Sequence, residues 1–132
     1  MHARLNLVGL VVADLAASLD FYRRLGLPVP DDADNQPHVE IVLPGGLLLA
    51  FDPIETIHSF DPDWTAPTGS SRINLAFLVD GPEDVDALHA ELAAAGHPSH
   101  VEPFDAPWGQ RYATVLDPDG NGVDVFAPLA AE

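Results

Sequence analysis

The chain has no cysteine and no lysine; its five basic residues are all arginine, set against 21 acidic ones, and the formal net charge is −16. Without cysteine there is no disulfide framework, no thiolate nucleophile and no cysteine-based zinc site. With so few cations the surface repels phosphate, so neither nucleic acid nor an anionic membrane is an expected partner. No apolar run is long enough to span a bilayer, and Met1-His2-Ala3-Arg4 leads directly into a strand-like segment without a secretion-signal pattern. A cytoplasmic protein is expected. What the composition does supply is a core. With 47% hydrophobic and 20% charged residues, the 132-residue chain is expected to form one domain, residues 1–132. A chain of this size buries about two-thirds of its unfolded surface. The acidity serves solubility first, and it also favours cationic ligands.

Two halves of the chain follow the same plan. Leu5 to Val12 is a β-branched-rich run, ended by Ala13-Asp14, with Asp14 placed to cap a helix. Leu15, Leu19, Tyr22 and Leu25 fall near helical spacing, Phe21 widens the stripe, and Gly26 is a stop. Ile73 to Val79 opens the second half, and Asp80-Gly81-Pro82 starts its helix. Val85, Leu88, Leu92 and Ala95 make that helix's stripe before Gly96. Strand-like segments follow each helix. In the first half they are Val39 to Leu43 and Leu47 to Phe51, joined by Pro44-Gly45-Gly46. In the second they are Ser99 to Glu102, Arg111 to Leu116 and Val123 to Phe126. Both halves are read as β-α-β-β-β. Module one spans about residues 1–58, a polar crossover about 52–71 and module two about 72–132. Asp117-Pro118-Asp119-Gly120-Asn121 is a type I turn signal between the last two strands.

Several residues carry chemical potential. His38 and Glu40 are two apart on a strand and so share a face, away from Val39, Ile41 and Leu43. They are read either as a ligand contact or acid–base pair, or as a solvated polar face. Trp108, in Pro107-Trp108-Gly109, is read as a stacking surface for planar rings or cations, or as a wedge in the core or a subunit interface. Trp64 is read as a loop anchor, and Arg111 as a partner for a carboxylate. His58 lies in the crossover, His89 on the helix, and His97 and His100 after its end.

The chain resembles the vicinal oxygen chelate superfamily, which includes glyoxalase I, extradiol dioxygenases and bleomycin-resistance proteins. The resemblance rests on Val11-Val12-Ala13-Asp14-Leu15 with Ser18, Phe21-Tyr22 and Leu25-Gly26, and on Asn74-Leu75-Ala76-Phe77-Leu78-Val79 and Asp117-Pro118-Asp119-Gly120-Asn121. It implies an α+β fold of two tandem βαβββ modules forming a curled mixed sheet with a cup-shaped cavity. It also implies pairing into a homodimer. In metal-dependent members, the ligands are His on the first strand of each module and Glu on the last. Carried over, those positions fall on Leu7, Asn74 and Asp124, while the first-module carboxylate falls in the apolar run Leu47 to Phe51. That set is too poor for the usual metal.

The cup so implied is lined by Leu7, Val11, Asn74, Ala76, Asp124 and Phe126. Members that bind bleomycin-type antibiotics carry a similar Pro-Trp-Gly segment. The expectation is therefore a metal-free, cofactor-free protein that sequesters an aromatic or cationic small molecule. Its expected ligand-binding residues are Leu7, His38, Glu40, Asn74, Trp108, Asp124 and Phe126, and none is assigned a catalytic role. Two alternatives stand beside it. One is a glyoxalase- or dioxygenase-like enzyme, with a displaced metal site or with acid–base chemistry at Asp124, His38 or Glu40. The other is a regulatory or assembly module.

Overall fold

In the computed structural model, which describes residues 1–130, Asp14 caps the first helix by accepting a hydrogen bond from Ala17 N at 3.1 Å. That helix, α1 (Leu15–Arg24), ends where Gly26 takes φ 96°. The Leu27 N–H then donates back to the Tyr22 carbonyl at 3.2 Å, closing the helix end. The second long helix, α3 (Pro82–Ala94), is built the same way. Pro82 occupies its first turn and Asp84 accepts from Gly81 N at 3.1 Å. Gly96 takes φ 96°, and His97 N–H donates to the Leu92 carbonyl at 3.1 Å.

The chain divides into two units, Met1–Thr68 and the residues from Gly69 onward. The first holds β1 (Leu7–Val12), α1, a 3-10 turn (Ala33–Asn35), β2 (Val39–Val42), β3 (Leu48–Pro53) and α2 (Ile54–His58). Its sheet runs β1-β3-β2, with β1 parallel and β2 antiparallel to β3. The second unit holds β4 (Leu75–Leu78), α3, β5 (Ser99–Ala106), β6 (Gln110–Leu116) and β7 (Gly122–Pro128), in the order β4-β7-β6-β5. The architecture is mixed α+β with one sheet per unit. Each sheet buries one face under its helix. In the first, Leu19, Phe21 and Tyr22 of α1 and Val12, Ile41 and Phe51 of the sheet are buried, with the Tyr22 and Phe51 rings 5.2 Å apart. In the second, Val85 and Leu92 of α3 and Ala113, Val115, Val123 and Val125 of the sheet are buried. Each such side chain contributes about 1.5–3 kcal/mol by leaving water.

Three expectations are corrected. The first unit is β-α-β-β, one strand short of its counterpart. Where the missing strand would run, the chain reads Leu27-Pro28-Val29-Pro30, and two prolines remove the N–H groups a ladder needs. The crossover starts later than residue 52, because Asp52 and Pro53 finish β3 and Ile54–His58 forms α2 around the buried Ile57. Finally, β5 is eight residues long and runs past Glu102 through Pro103 to Ala106. Proline is tolerated there because β5 is an edge strand and its register shifts between Val101 and Phe104.

The last hairpin is set by Asp117. Its Oδ1 accepts from the N–H groups of Asp119 and Asn121, both at 2.9 Å, and its Oδ2 accepts from Asn121 Nδ2 at 3.0 Å. With Gly120 at φ 82°, this turn pairs Leu116 with Gly122 and so fixes every later pair of β6 and β7.

Candidate functional site

On the second unit, the sheet face opposite α3 is organised in rows by strand register. One row runs Ala76–Asp124–Thr114, the next Leu78–Phe126–Tyr112–Phe104. Asp124 lies at the centre and is only 4% exposed. Its Oδ1 accepts from Thr114 Oγ1 at 2.7 Å. Its Oδ2 accepts a short hydrogen bond from the Tyr112 hydroxyl and a longer one from Asn74 Nδ2 at 3.4 Å. A buried carboxylate is thus satisfied by three neutral donors, which a low-dielectric site requires. Burial pushes the Tyr112 phenol up to about 12, helped by its hydrogen bond to Asp124 and by the carboxylate charge. Gly122 makes room for Asn74: a Cβ there would stand 2.4 Å from Asn74 Oδ1.

Tyr112 links this polar centre to an aromatic corner. Its ring lies 5.5 Å from Trp108 and 6.2 Å from Phe104, and Trp108 and Phe104 are 6.0 Å apart, all edge to face. At these spacings the three rings pack on one another and leave no cage for an ammonium group between them. The surface on offer is Trp108 itself, 58% exposed, with its indole N–H held by Gln110 Oε1 at 2.8 Å. Its exposure rules out the core-wedge reading. Gly109, at φ 90°, makes the turn that carries Trp108 between β5 and β6. Arg111 points to the other side of β6 and binds Asp86 of α3 at 3.0 Å and Asp105 at 3.1 Å.

On the first unit, the face opposite α1 carries Leu7, Gly9 and Val11 of β1, which pair with Leu48, Ala50 and Asp52 of β3. Glu40 lies opposite Ala50. His38, just before β2, is held between two carboxylates: Nδ1 to Asp52 Oδ1 at 2.5 Å and Nε2 to Glu40 Oε2 at 3.2 Å. The hydrogen bond to Asp52 raises the His38 pKa above its ordinary value; partial burial opposes this and Glu40 adds to it. Two other histidines have structural partners. His58 hydrogen-bonds the Trp64 carbonyl at 2.9 Å, anchoring that loop, and His89 bonds Ser99 Oγ at 2.7 Å. His100 follows the end of α3 and sits on β5, as its place in the Ser99 to Glu102 segment implied.

The structure therefore brings together Asn74 and Asp124, with Phe126 one row away and Trp108 joined through Tyr112. It separately brings together His38 and Glu40. Leu7 lies in an apolar row with Leu48 and Val42. Four residues that sequence reasoning missed are Asp52, Phe104, Tyr112 and Thr114. For Tyr112 and Thr114 a signal existed. A five-residue turn at Asp117–Asn121 pairs 116 with 122, and counting back places 114 opposite 124 and 112 opposite 126. Asp52 carried none, because an acidic residue before proline reads as a strand end.

A divalent metal at the position implied by the resemblance does not fit these residues. Leu7 has no donor atom, and both oxygens of Asp124 are engaged by Thr114, Tyr112 and Asn74. Among the described residues, no group of three or more His, Asp or Glu side chains is arranged to hold a metal ion.

Residues 4–125 match the sequence profile of the Glyoxalase/Bleomycin resistance protein/Dioxygenase superfamily. Solved structures with the same fold include a glyoxalase/bleomycin resistance protein/dioxygenase family enzyme from Burkholderia phytofirmans PsJN, with TM-score 0.80 and 23% identity over 96% of this chain and 100% of that one. A glyoxalase/bleomycin resistance protein/dioxygenase from Nocardioides has TM-score 0.73 and 24% identity over 100% of this chain and 87% of that one. Lactoylglutathione lyase from Agrobacterium tumefaciens has TM-score 0.65 and 22% identity over 96% and 95%. No curated protein matches the chain.

Proposed function

This chain belongs to the Glyoxalase/Bleomycin resistance protein/Dioxygenase superfamily, and on that premise we propose that it is a metal-independent small-molecule-binding protein of the bleomycin-resistance type. Its ligand is a flat aromatic cation, sequestered without chemistry. The observation that carries this reading is the pairing of an exposed Trp108, braced by Phe104 and Tyr112, with an Asp124 whose two oxygens both accept hydrogen bonds from protein donors. Such a carboxylate stiffens the site instead of ligating an ion. An indole face favours planar rings and cations, and the net charge of −16 draws cations in.

A second reading has one observation in its favour. His38 bonded through Nδ1 to Asp52 is the arrangement that orients an imidazole for acid–base work, and several similar solved structures bear enzyme names.

The deciding experiment uses Trp64→Phe protein, in which Trp108 is the remaining tryptophan. Titration with 9-aminoacridine should quench Trp108 emission saturably at one equivalent, with the same affinity in EDTA. Trp108→Ala should weaken binding by about tenfold, measured calorimetrically. Absence of saturable binding across a panel of aromatic cations, or binding abolished by EDTA, would overturn the reading.

A further inference from the structure

At the other end of the same sheet face from the aromatic corner lies a pocket of about 330 Å³ that includes Ser70, Ser71, Asn74, His100, Thr114 and Gly122 in its lining. No Asp, Glu or Arg lines it, although the chain carries 21 acidic residues. Its polar groups are serine and threonine hydroxyls, the Asn74 amide and the His100 imidazole. Asn74 spends its amide N–H on Asp124, which leaves Oδ1 turned toward Gly122. Ser71 Oγ accepts from Gly122 N at 3.2 Å, so its own proton remains for a ligand. Ser70 and His100 are exposed on the rim. Gly122 is necessary to the shape, since a side chain there would collide with Asn74.

We propose that this pocket is a second subsite, which binds a neutral, hydroxyl-rich head carried by the same ligand whose planar part stacks on Trp108. A hydroxyl both donates and accepts, and so satisfies a wall that offers Asn74 Oδ1 as acceptor and serine hydroxyls as donors. A carboxylate or phosphate head would find no arginine in this wall to pair with. The span follows from the strand. Tyr112 of the aromatic corner and Leu116 of the pocket are four residues apart on β6, which is about 14 Å at the antiparallel rise. The ligand is therefore elongated and bipartite. The inference rests on the aromatic-corner reading and adds the chemistry of the ligand's far end.

The test compares 9-aminoacridine with a conjugate carrying a gluconamide tail on a flexible linker long enough for that span, by calorimetry on the intact protein. The tail should tighten binding about tenfold in the wild type. In Ser70→Leu/His100→Leu, which fills the rim with apolar bulk at two exposed positions, the ratio of the two affinities should fall to about one. If bare acridine binds and the tail adds nothing, or if its gain survives the double variant, the subsite is refuted and the aromatic corner stands. If bare acridine fails to bind, the corner reading falls and the subsite falls with it.

Discussion

The two units begin from the same strand–helix plan, and each places a polar group on the face of its own sheet away from its helix, yet the groups are opposites. In the first unit a half-exposed histidine sits between two carboxylates; in the second a buried carboxylate sits among three neutral donors. The contrast shows how environment assigns a role. Solvent screens the His38 cluster, so it contributes little to folding, although the hydrogen bond to Asp52 raises the imidazole's pKa. Around Asp124 the low dielectric makes each hydrogen bond strong and each missing one costly, so that cluster behaves as a rigid support for Tyr112 and its neighbours.

Removing the two central aspartates gives the sharpest test of that contrast. Asp124→Ala leaves the Tyr112, Thr114 and Asn74 donors without their acceptor and is expected to cost about 3 kcal/mol in urea unfolding. Asp52→Ala, at a partly exposed ion pair, should cost about 1 kcal/mol or less. Equal losses would break the comparison. A smaller effect is expected at high pH. The Tyr112 phenol is raised to about 12 in the fold, against about 10 in an unfolded chain. Its contribution is complete below pH 10 and is lost as pH rises toward 12. Tyr112→Phe should therefore lose less stability than the wild type across that window, and a parallel decline of the two proteins would contradict the buried hydrogen bond. The smallest effect belongs to His38. Its raised pKa adds stability that is present below the ordinary value of 6.5 and is lost as pH climbs through the folded value. His38→Gln should close the gap to wild type as pH climbs past that folded value and open it below 6.5, by less than about 0.5 kcal/mol because solvent screens the pair. A pH-independent gap would remove the ion-pair account.

Much of the fold was legible because its signals are local. Asp14, Gly26, Gly81-Pro82, Gly96 and the Asp117–Asn121 turn act through hydrogen bonds between residues two to five positions apart. The shared face of His38 and Glu40 follows from the two-residue period of a strand. The site was less legible. Trp108 could equally have been a core wedge, and the decision depended on where β5 and β6 placed its turn. Asp124 was visible as a carboxylate in the right segment, but its hydrogen bonds from Tyr112, Thr114 and Asn74 join β6, β7 and the residue just before β4. Asp52 reads as loop until β3 is seen to continue through it and to put it beside His38.

The sequence by itself determined the family, the repeated strand–helix order, the helix caps and the hairpin register, because each depends on backbone conformations that a few neighbouring residues dictate. Tertiary structure decided what the polar residues do. Whether Asp124 holds an ion or a tyrosine, and whether His38 meets one carboxylate or two, depends on which side chains distant segments bring within hydrogen-bonding reach and how much water they exclude.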